Sequence, residues 1–271
     1  MQSKNQSPRC GRFGKRRVLP LAVWCLFTPC AVIGQAGQSA PDKIADHIAR
    51  VKSGNFTLVS IEEIAEAHAV QAIPILKEQF ALSQDASAKA KLAGALVRLG
   101  DKDDAYWNYL VAQAATAAQS DAPPPTAFDV NGKAIPGQLS PEFIAWSRAH
   151  SLPPESAAQD VVFGLPVKVA MLAETGDPRG VPLLRQALRS SNYLVAVMAA
   201  KGLALIQDKD SIPLIIEACR KAPPDEAMAI ADSLIYFDDA QAQTAADRYL
   251  PKQYAEAMRE ARAQGMTPFH R

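Results

Sequence analysis

Apolar residues recur at intervals of three in three segments of the chain, and an aspartate follows each segment. In each segment an alanine is followed three and six residues later by larger apolar side chains. The sets are Ala93-Leu96-Leu99 before Asp101, Ala200-Leu203-Ile206 before Asp208, and Ala231-Leu234-Phe237 before Asp239. This spacing places the residues on one stripe of an α-helix, and the small alanine lets a neighbouring helix approach closely. The pattern predicts three helices that are buried along one face.

A second pattern predicts where other helices begin. A small residue, a β-branched residue, a proline and two aliphatic residues occur in this order around Pro74, Pro182 and Pro213. Asp177 and Asp208 lie five residues before the last two prolines. Proline suits the first helical turn, and an upstream aspartate can accept hydrogen bonds from the free N–H groups there. The two patterns together predict a repeat of about 30 residues, with a helix, a short turn, a second helix and an aspartate-containing turn.

This repeat resembles HEAT repeats, in particular the short HEAT-like type that also occurs in phycobilisome lyases. The resemblance covers residues 56–119 and 160–250 and is strongest over 177–239. It implies an all-α fold, an α-solenoid of about five HEAT-like helical hairpins with one irregular insertion containing a possible β-hairpin. HEAT arrays serve mainly as interaction scaffolds, so the resemblance also implies a protein or peptide partner. Phycobilin-lyase activity is not implied, because no separate chemical motif accompanies the repeats.

The repeat register divides the chain and fails once, between Asp101 and Asp177. The predicted segments are a signal peptide at 1–36, an N-terminal segment at 37–55, HEAT-like repeats at 56–119, a Pro-rich insertion at 120–157, HEAT-like repeats at 158–264 and a C-terminal tail at 265–271. Within the insertion, Asn131-Gly132 between two short extended runs predicts a β-hairpin turn. Ser140-Pro141 predicts the beginning of a short helix that ends near His150.

Four aromatic residues in or near the insertion have two interpretations. They are Phe128, Phe143, Trp146 and the nearby Trp107. They could form an aromatic recognition patch, because insertions on a rigid solenoid often carry its binding function. They could instead pack the insertion against an array of otherwise small side chains, and this interpretation is favoured.

The first 36 residues have the features of a secretory signal peptide. They contain six basic residues and no acidic residue, followed by an apolar run from 18 to 34. Gly34-Gln35-Ala36 places small residues at the positions that precede a cleavage point. An uncleaved membrane anchor is the alternative, but the run is short for a span and contains Pro20 and Pro29. We expect export to the periplasm or the extracellular space, with no membrane insertion after cleavage.

Cleavage would make the protein mildly acidic. Removal of six of the 29 basic residues leaves 23 Lys and Arg against 28 Asp and Glu, a formal charge of −5. Nucleic-acid phosphates need clustered Lys and Arg, so no nucleic-acid partner is expected. Five basic residues on predicted helices are assigned to a solvated face, and these are Lys89, Lys91, Arg185, Arg189 and Lys201.

The sequence offers no catalytic, cofactor-binding or metal-binding residues to select. GxSxG, HExxH, P-loop and GxGxxG motifs are absent, and the four histidines do not pair at metal-ligand spacing. Cys219 alone would remain after cleavage, in an apolar helical pattern that favours an inert buried thiol. Tyr193 and the other late tyrosines are assigned to packing between helices. No cofactor is expected.

Three functions remain open from the sequence. The leading one is a non-enzymatic, extracytoplasmic HEAT-repeat scaffold that mediates protein–protein or protein–peptide interaction. The second is a lyase-type enzyme built on a HEAT-like scaffold, and the third is a structural accessory subunit of a cell-envelope complex. The repeat and the missing catalytic motifs favour the first.

Export with cleavage after Ala36 is testable directly. N-terminal sequencing of the protein from the cell-envelope fraction should begin at Gly37, because the signal peptidase would recognise Gly34-Gln35-Ala36. Recovery of the intact basic segment in membranes would instead support the anchor.

Overall fold

The computed structural model describes residues 40–129 and 134–269, which are mainly α-helical. The first helices are α1 (Ala40–Lys52), α2 (Leu58–Glu66), α3 (Ile73–Leu82), α4 (Ala86–Arg98) and α5 (Asp104–Ala118). The insertion contains β1 (Thr126–Phe128), β2 (Ala134–Leu139) and α6 (Pro141–Ala149), followed by α7 (Pro154–Gln159) and α8 (Leu165–Ala173). The last helices are α9 (Val181–Ala187), α10 (Tyr193–Ile206), α11 (Ile212–Lys221), α12 (Pro224–Ala231), α13 (Ala240–Tyr249) and α14 (Lys252–Ala263). The predicted signal peptide and the Asn131-Gly132 turn lie outside the described residues.

The helices pair along the chain and stack into an α-solenoid, as predicted. The pairs in the described part of the chain are α1/α2, α3/α4, α5/α8, α9/α10, α11/α12 and α13/α14. The second helices form a layer in which α2, α4, α8, α10 and α12 contact one another in turn. The structure adds α1, within the predicted N-terminal segment 37–55, as the first helix of a pair that packs against α3. The insertion lies inside one pair, between α5 and α8.

The repeated apolar positions are buried and the prolines begin helices as predicted, but the third stripe is not α-helical, because Leu234 lies in a 3-10 helix (Asp232–Tyr236) that follows α12. Leu96, Leu203 and Leu234 are fully buried in the core. Pro74, Pro182 and Pro213 lie in the first turn of α3, α9 and α11, and a short 3-10 turn precedes each of these helices.

The repeat aspartates have two roles, and only one of them is the predicted cap. The Asp177 carboxylate accepts a hydrogen bond from the Arg179 backbone N–H at 2.9 Å. Asp208 makes no such cap, and its Oδ1 lies 2.8 Å from Nη2 of Arg185 on α9. Asp101 does both, because its carboxylate accepts from the Asp103 backbone N–H at 3.0 Å and pairs with Lys77 on α3 at 3.1 Å. The solvated-face prediction for Arg185 is therefore wrong, because this cation joins the first helix of a pair to the turn after the second.

Lys91 also departs from the solvated-face prediction. Its ammonium group lies 2.8 Å from the Glu174 carboxylate and pairs with Glu62, which in turn pairs with Arg98. These four side chains are only 14–16% exposed, and they connect α2, α4 and the end of α8. Although burial opposes ionisation, the two cations hold the pKa of Glu62 below its ordinary value. The network orients α8 against the earlier repeats, since a buried charge is costly without its partner.

Small residues let α8 approach the helices on both sides. A Cβ on Gly202 of α10 would lie 2.5 Å from the Cβ of Ala173, so glycine is required for this close contact. On the other side, a Cβ on Gly94 of α4 would lie 3.5 Å from the Met171 carbonyl oxygen, which is ordinary contact. The two neighbours of α8 therefore differ in how much space remains.

The helical stretch that ends with α8 begins at Pro154, because α7, a π-helical segment (Asp160–Gly164) and α8 are continuous. The stretch Pro154–Ala173 is long and apolar enough to cross a membrane by length and composition alone. Val169 and Leu172 within it are buried in the core, and a core helix meets the same criterion.

Gly202→Ala should destabilise the protein by about 1–3 kcal/mol, because the added methyl group overpacks the contact between α8 and α10. Gly94→Ala is the matched control, since this position has room for a methyl group. The higher helix propensity of alanine should raise the free energy of unfolding by about 1 kcal/mol. Urea unfolding would measure both free energies. Equal effects of the two substitutions would contradict the packing described here. Adding Ala173→Gly to Gly202→Ala should recover part of the loss.

Candidate functional site

Two adjoining cavities lie where the insertion meets the later repeats. The larger, of about 400 Å³, lies between the pairs α9/α10 and α11/α12. The smaller, of about 220 Å³, lies between residues 122–126, the π-helical segment and the beginning of α10. Ser191, Tyr193 and Glu226 line both. The two cavities therefore adjoin at the beginnings of α10 and α12, and together they are here named the α10 groove.

The π-helical segment shapes the smaller cavity. A π turn widens a helix by one residue and disturbs its regular hydrogen bonding. The Val161 carbonyl oxygen accepts a hydrogen bond from Asn192 Nδ2 at 2.6 Å, and Asn192 Oδ1 caps α10 by accepting from the Leu194 N–H at 3.0 Å. One side chain thus joins the wide turn to the beginning of α10. Val161 and Val162 supply part of the apolar lining.

Three consecutive prolines form another wall of the smaller cavity. Ser140 holds them, because its N–H donates to the Pro125 carbonyl at 2.8 Å and its hydroxyl donates to the Pro124 carbonyl at 2.9 Å. The same hydroxyl oxygen accepts from the Phe143 N–H at 3.1 Å, which confirms the predicted cap of α6. The helix cap therefore also fixes the proline wall.

The larger cavity has an apolar floor and a charged rim. The floor residues, contributed by both helix pairs, are Leu188, Ala196, Leu214, Ala218 and Ile230. The charged side chains of the rim are Arg185, Arg189, Glu217, Lys221 and Glu226.

Most of these rim charges already have partners. Arg185 is bound by Asp208, and Glu217 pairs with Lys221 at 3.3 Å and with Arg220 at 2.7 Å. Within the described part of the chain, neither Arg189 nor Glu226 has an oppositely charged side chain within ion-pair distance. The groove therefore carries one uncompensated charge of each sign.

The two rim carboxylates differ in their proton affinity for physical reasons. Burial and the neighbouring charge of Asp225 raise the pKa of Glu226. Hydrogen bonds from Arg220 and Lys221 lower the pKa of Glu217 to about 2. Burial, with the charge of Glu226, also raises the pKa of the Tyr193 phenol.

Three of the four aromatic residues that the sequence grouped are described, and they do not form one exposed patch. Phe143 is fully buried, and Trp107 packs beneath Arg179, whose guanidinium carbon lies 4.4 Å from the ring centroid. Trp146 stacks against Phe143 with ring centroids 5.5 Å apart, and its Nε1 donates to Asp121 at 2.9 Å. Phe143 and Trp107 are buried and Trp146 packs against the core, which favours the packing interpretation over an exposed recognition patch. The Phe128 side chain lies outside the described part of the structure.

No Cys or His side chain in the described part of the chain lines the α10 groove. Cys219 is buried as predicted, and burial raises the pKa of its thiol to about 12, so it stays protonated at neutral pH. Among residues 40–129 and 134–269, no group of three or more His, Cys, Asp or Glu side chains is arranged to hold a metal ion. The absence of catalytic, cofactor and metal residues remains a prediction from the sequence.

Sequence reasoning missed the residues that build the groove. Tyr193 was assigned to packing, and neither Asn192 nor Glu226 belongs to a recognisable motif. The one usable signal was the position at which the insertion rejoins the array, because the proline wall and the π-helical segment lie there.

The segment that contains the larger cavity matches a known family. Residues 169–235 match the family model for HEAT repeats. This match supports the assignment of the segment to a HEAT-repeat family. A search of curated protein sequences finds no match to the chain. HEAT repeats commonly mediate protein interactions, and every residue that lines the larger cavity falls within the matched segment. The resemblance to the phycobilisome-lyase type stays a prediction.

Glu226→Gln should stabilise the protein by a few tenths of a kcal/mol at neutral pH, because it removes a partly buried carboxylate that has no cation beside it. The raised pKa fixes the sign. The folded state holds this proton more tightly than the unfolded chain, so the penalty is absent below the unfolded pKa and complete above the folded pKa. Thermal melting from about pH 3 to pH 7 should therefore show the gain only at the higher pH.

Glu217→Gln is the control with the opposite sign. Its carboxylate is favoured by Arg220 and Lys221, so neutralisation should remove stabilisation near pH 7, and this loss should shrink as the pH falls from the unfolded pKa through about 2. The same pH dependence for both variants would contradict the difference in environment.

Proposed function

We propose that this chain is a non-enzymatic, extracytoplasmic HEAT-repeat scaffold that binds a segment of a protein partner in the α10 groove. The observation that carries the proposal is the groove itself, with an apolar floor, a polar rim and walls from two helix pairs and the insertion. Such a surface suits a ligand with alternating apolar and polar side chains. The basic and apolar N-terminal segment supports export.

The groove is fixed on both sides by packing and hydrogen bonds. Asn192 ties α10 to the π-helical segment, and Ser140 ties the prolines to α6. A preformed site loses less conformational entropy when it binds a flexible segment. This rigidity favours binding of a partner over a role limited to completing the array.

Blocking the floor of the groove tests the proposal. Ala218→Arg should place a long charged side chain on the half-buried floor of the larger cavity and weaken peptide binding by at least about tenfold, or 1.4 kcal/mol. The probe is a library of random peptides displayed on phage and selected on the purified protein. The peptides recovered are then synthesised and titrated against wild type and variant.

Leu82→Arg is the matched control, because Leu82 is 62% exposed at the end of α3 and does not line the groove. Both variants should melt close to the wild type before binding is compared. The proposal is wrong if no peptide is enriched, or if Ala218→Arg binds the selected peptides as well as Leu82→Arg does.

A further inference from the structure

Glu226 lies at the junction of the two cavities of the α10 groove. It is the carboxylate that lines both cavities, so it lies at the junction between them. Its side chain is partly buried in the first turn of α12, directly after the exposed Asp225. The negative charge is therefore concentrated where a ligand would cross from one cavity to the other.

The protein compensates this charge only in part. The beginning of α12 offers the positive end of a helix dipole, which is weak in a helix of eight residues and screened at its end. The described structure places no Lys, Arg or His within ion-pair distance of Glu226. Two other cations of the rim are paired with other carboxylates. Lys221 is bound by Glu217, and Arg185 by Asp208. A partly buried carboxylate in this setting is stabilised by any cation that approaches it.

Arg189 lines the larger cavity and carries the opposite charge to Glu226. It lies just beyond the end of α9, is exposed, and has no carboxylate within ion-pair distance in the described residues. It does not line the smaller cavity. The free positive charge and the free negative charge of the groove therefore occupy different positions along its length.

The geometry points to a peptide ligand of bipolar sequence, with a basic side chain against Glu226 and an acidic side chain against Arg189, a preference that rests on the proposed function. The apolar floor takes an apolar side chain of the same extended segment, two residues from each charged side chain, so that all three face the groove. Side chains two residues apart in an extended chain project to the same side and are separated by about 7 Å. Charge complementarity of this kind fixes the register and direction of a bound peptide more than its affinity.

A positional-scanning library of hexapeptides tests this preference. The peptides are acetylated and amidated, so that terminal charges do not contribute, and binding to the purified protein is measured at low and moderate salt. Wild type should prefer Lys or Arg at one position and Asp or Glu at another. Glu226→Gln should lose only the basic preference, by about tenfold, and Arg189→Gln only the acidic one. Glu226→Lys should prefer an acidic residue where wild type prefers a basic one.

Glu78→Gln is the control, because Glu78 is an exposed carboxylate on α3 that does not line the groove. It should keep both preferences. Peptide binding without charge preference, or with preferences unchanged in the Glu226 and Arg189 variants, would overturn the inference and leave the groove as a binding site. Failure of every library member to bind would overturn the proposed function itself.

Discussion

The array depends on how closely α8 can approach its neighbours. This helix follows an insertion of nearly forty residues, yet it must return to the layer of second helices between α4 and α10. The contact of Gly202 with Ala173 makes this possible, because any larger residue at 202 would separate α8 from α10. The ion network of Lys91, Glu62 and Glu174 then fixes α8 against the earlier repeats, where simple apolar contacts would allow it to slide. The small residues let α8 and α10 approach closely, and the buried charges fix the position of α8 along α2 and α4.

The same constraint produces the candidate site. A helix that is fixed at its end by close packing must absorb any mismatch with the insertion upstream, and the wide turn at Asp160–Gly164 lies there. The Val161 carbonyl oxygen of this turn accepts a hydrogen bond from Asn192, which also caps α10. The cavity beside α10 is thus a structural consequence of returning the chain to the array. In this protein, the packing of the repeats and the shape of the groove therefore depend on the same helix, α8, and on the wide turn before it.

The sequence predicted the parts of the fold that depend on local chemistry. Pro182 and Pro213 begin helices because the first turn has no need of their missing N–H, and Leu203 is buried because its spacing places it on the apolar stripe. Features that depend on two distant segments were not predictable in the same way. Lys91 looks like an exposed helix residue until α2 and α8 bring two carboxylates to it, and Arg185 looks free until Asp208 lies beside it. The spacing of apolar residues predicts which face of a helix is buried, but it does not predict which residue of another segment contacts that face.

The candidate site was hidden for a related reason. Its lining comes from ordinary residues on four elements, and none of them signals binding by type or spacing. The aromatic residues of the insertion were more conspicuous, but a large apolar ring next to alanine-rich helices gains more by filling space in the core than by remaining exposed. Phe143 and Trp107 follow that rule. The charges that stay uncompensated at neutral pH are the better guide, because a folded chain usually pairs partly buried charges with its own side chains. Glu226 departs from that rule, and the exposed Arg189 lines the same surface, between neighbouring repeats of an array type that commonly binds other proteins.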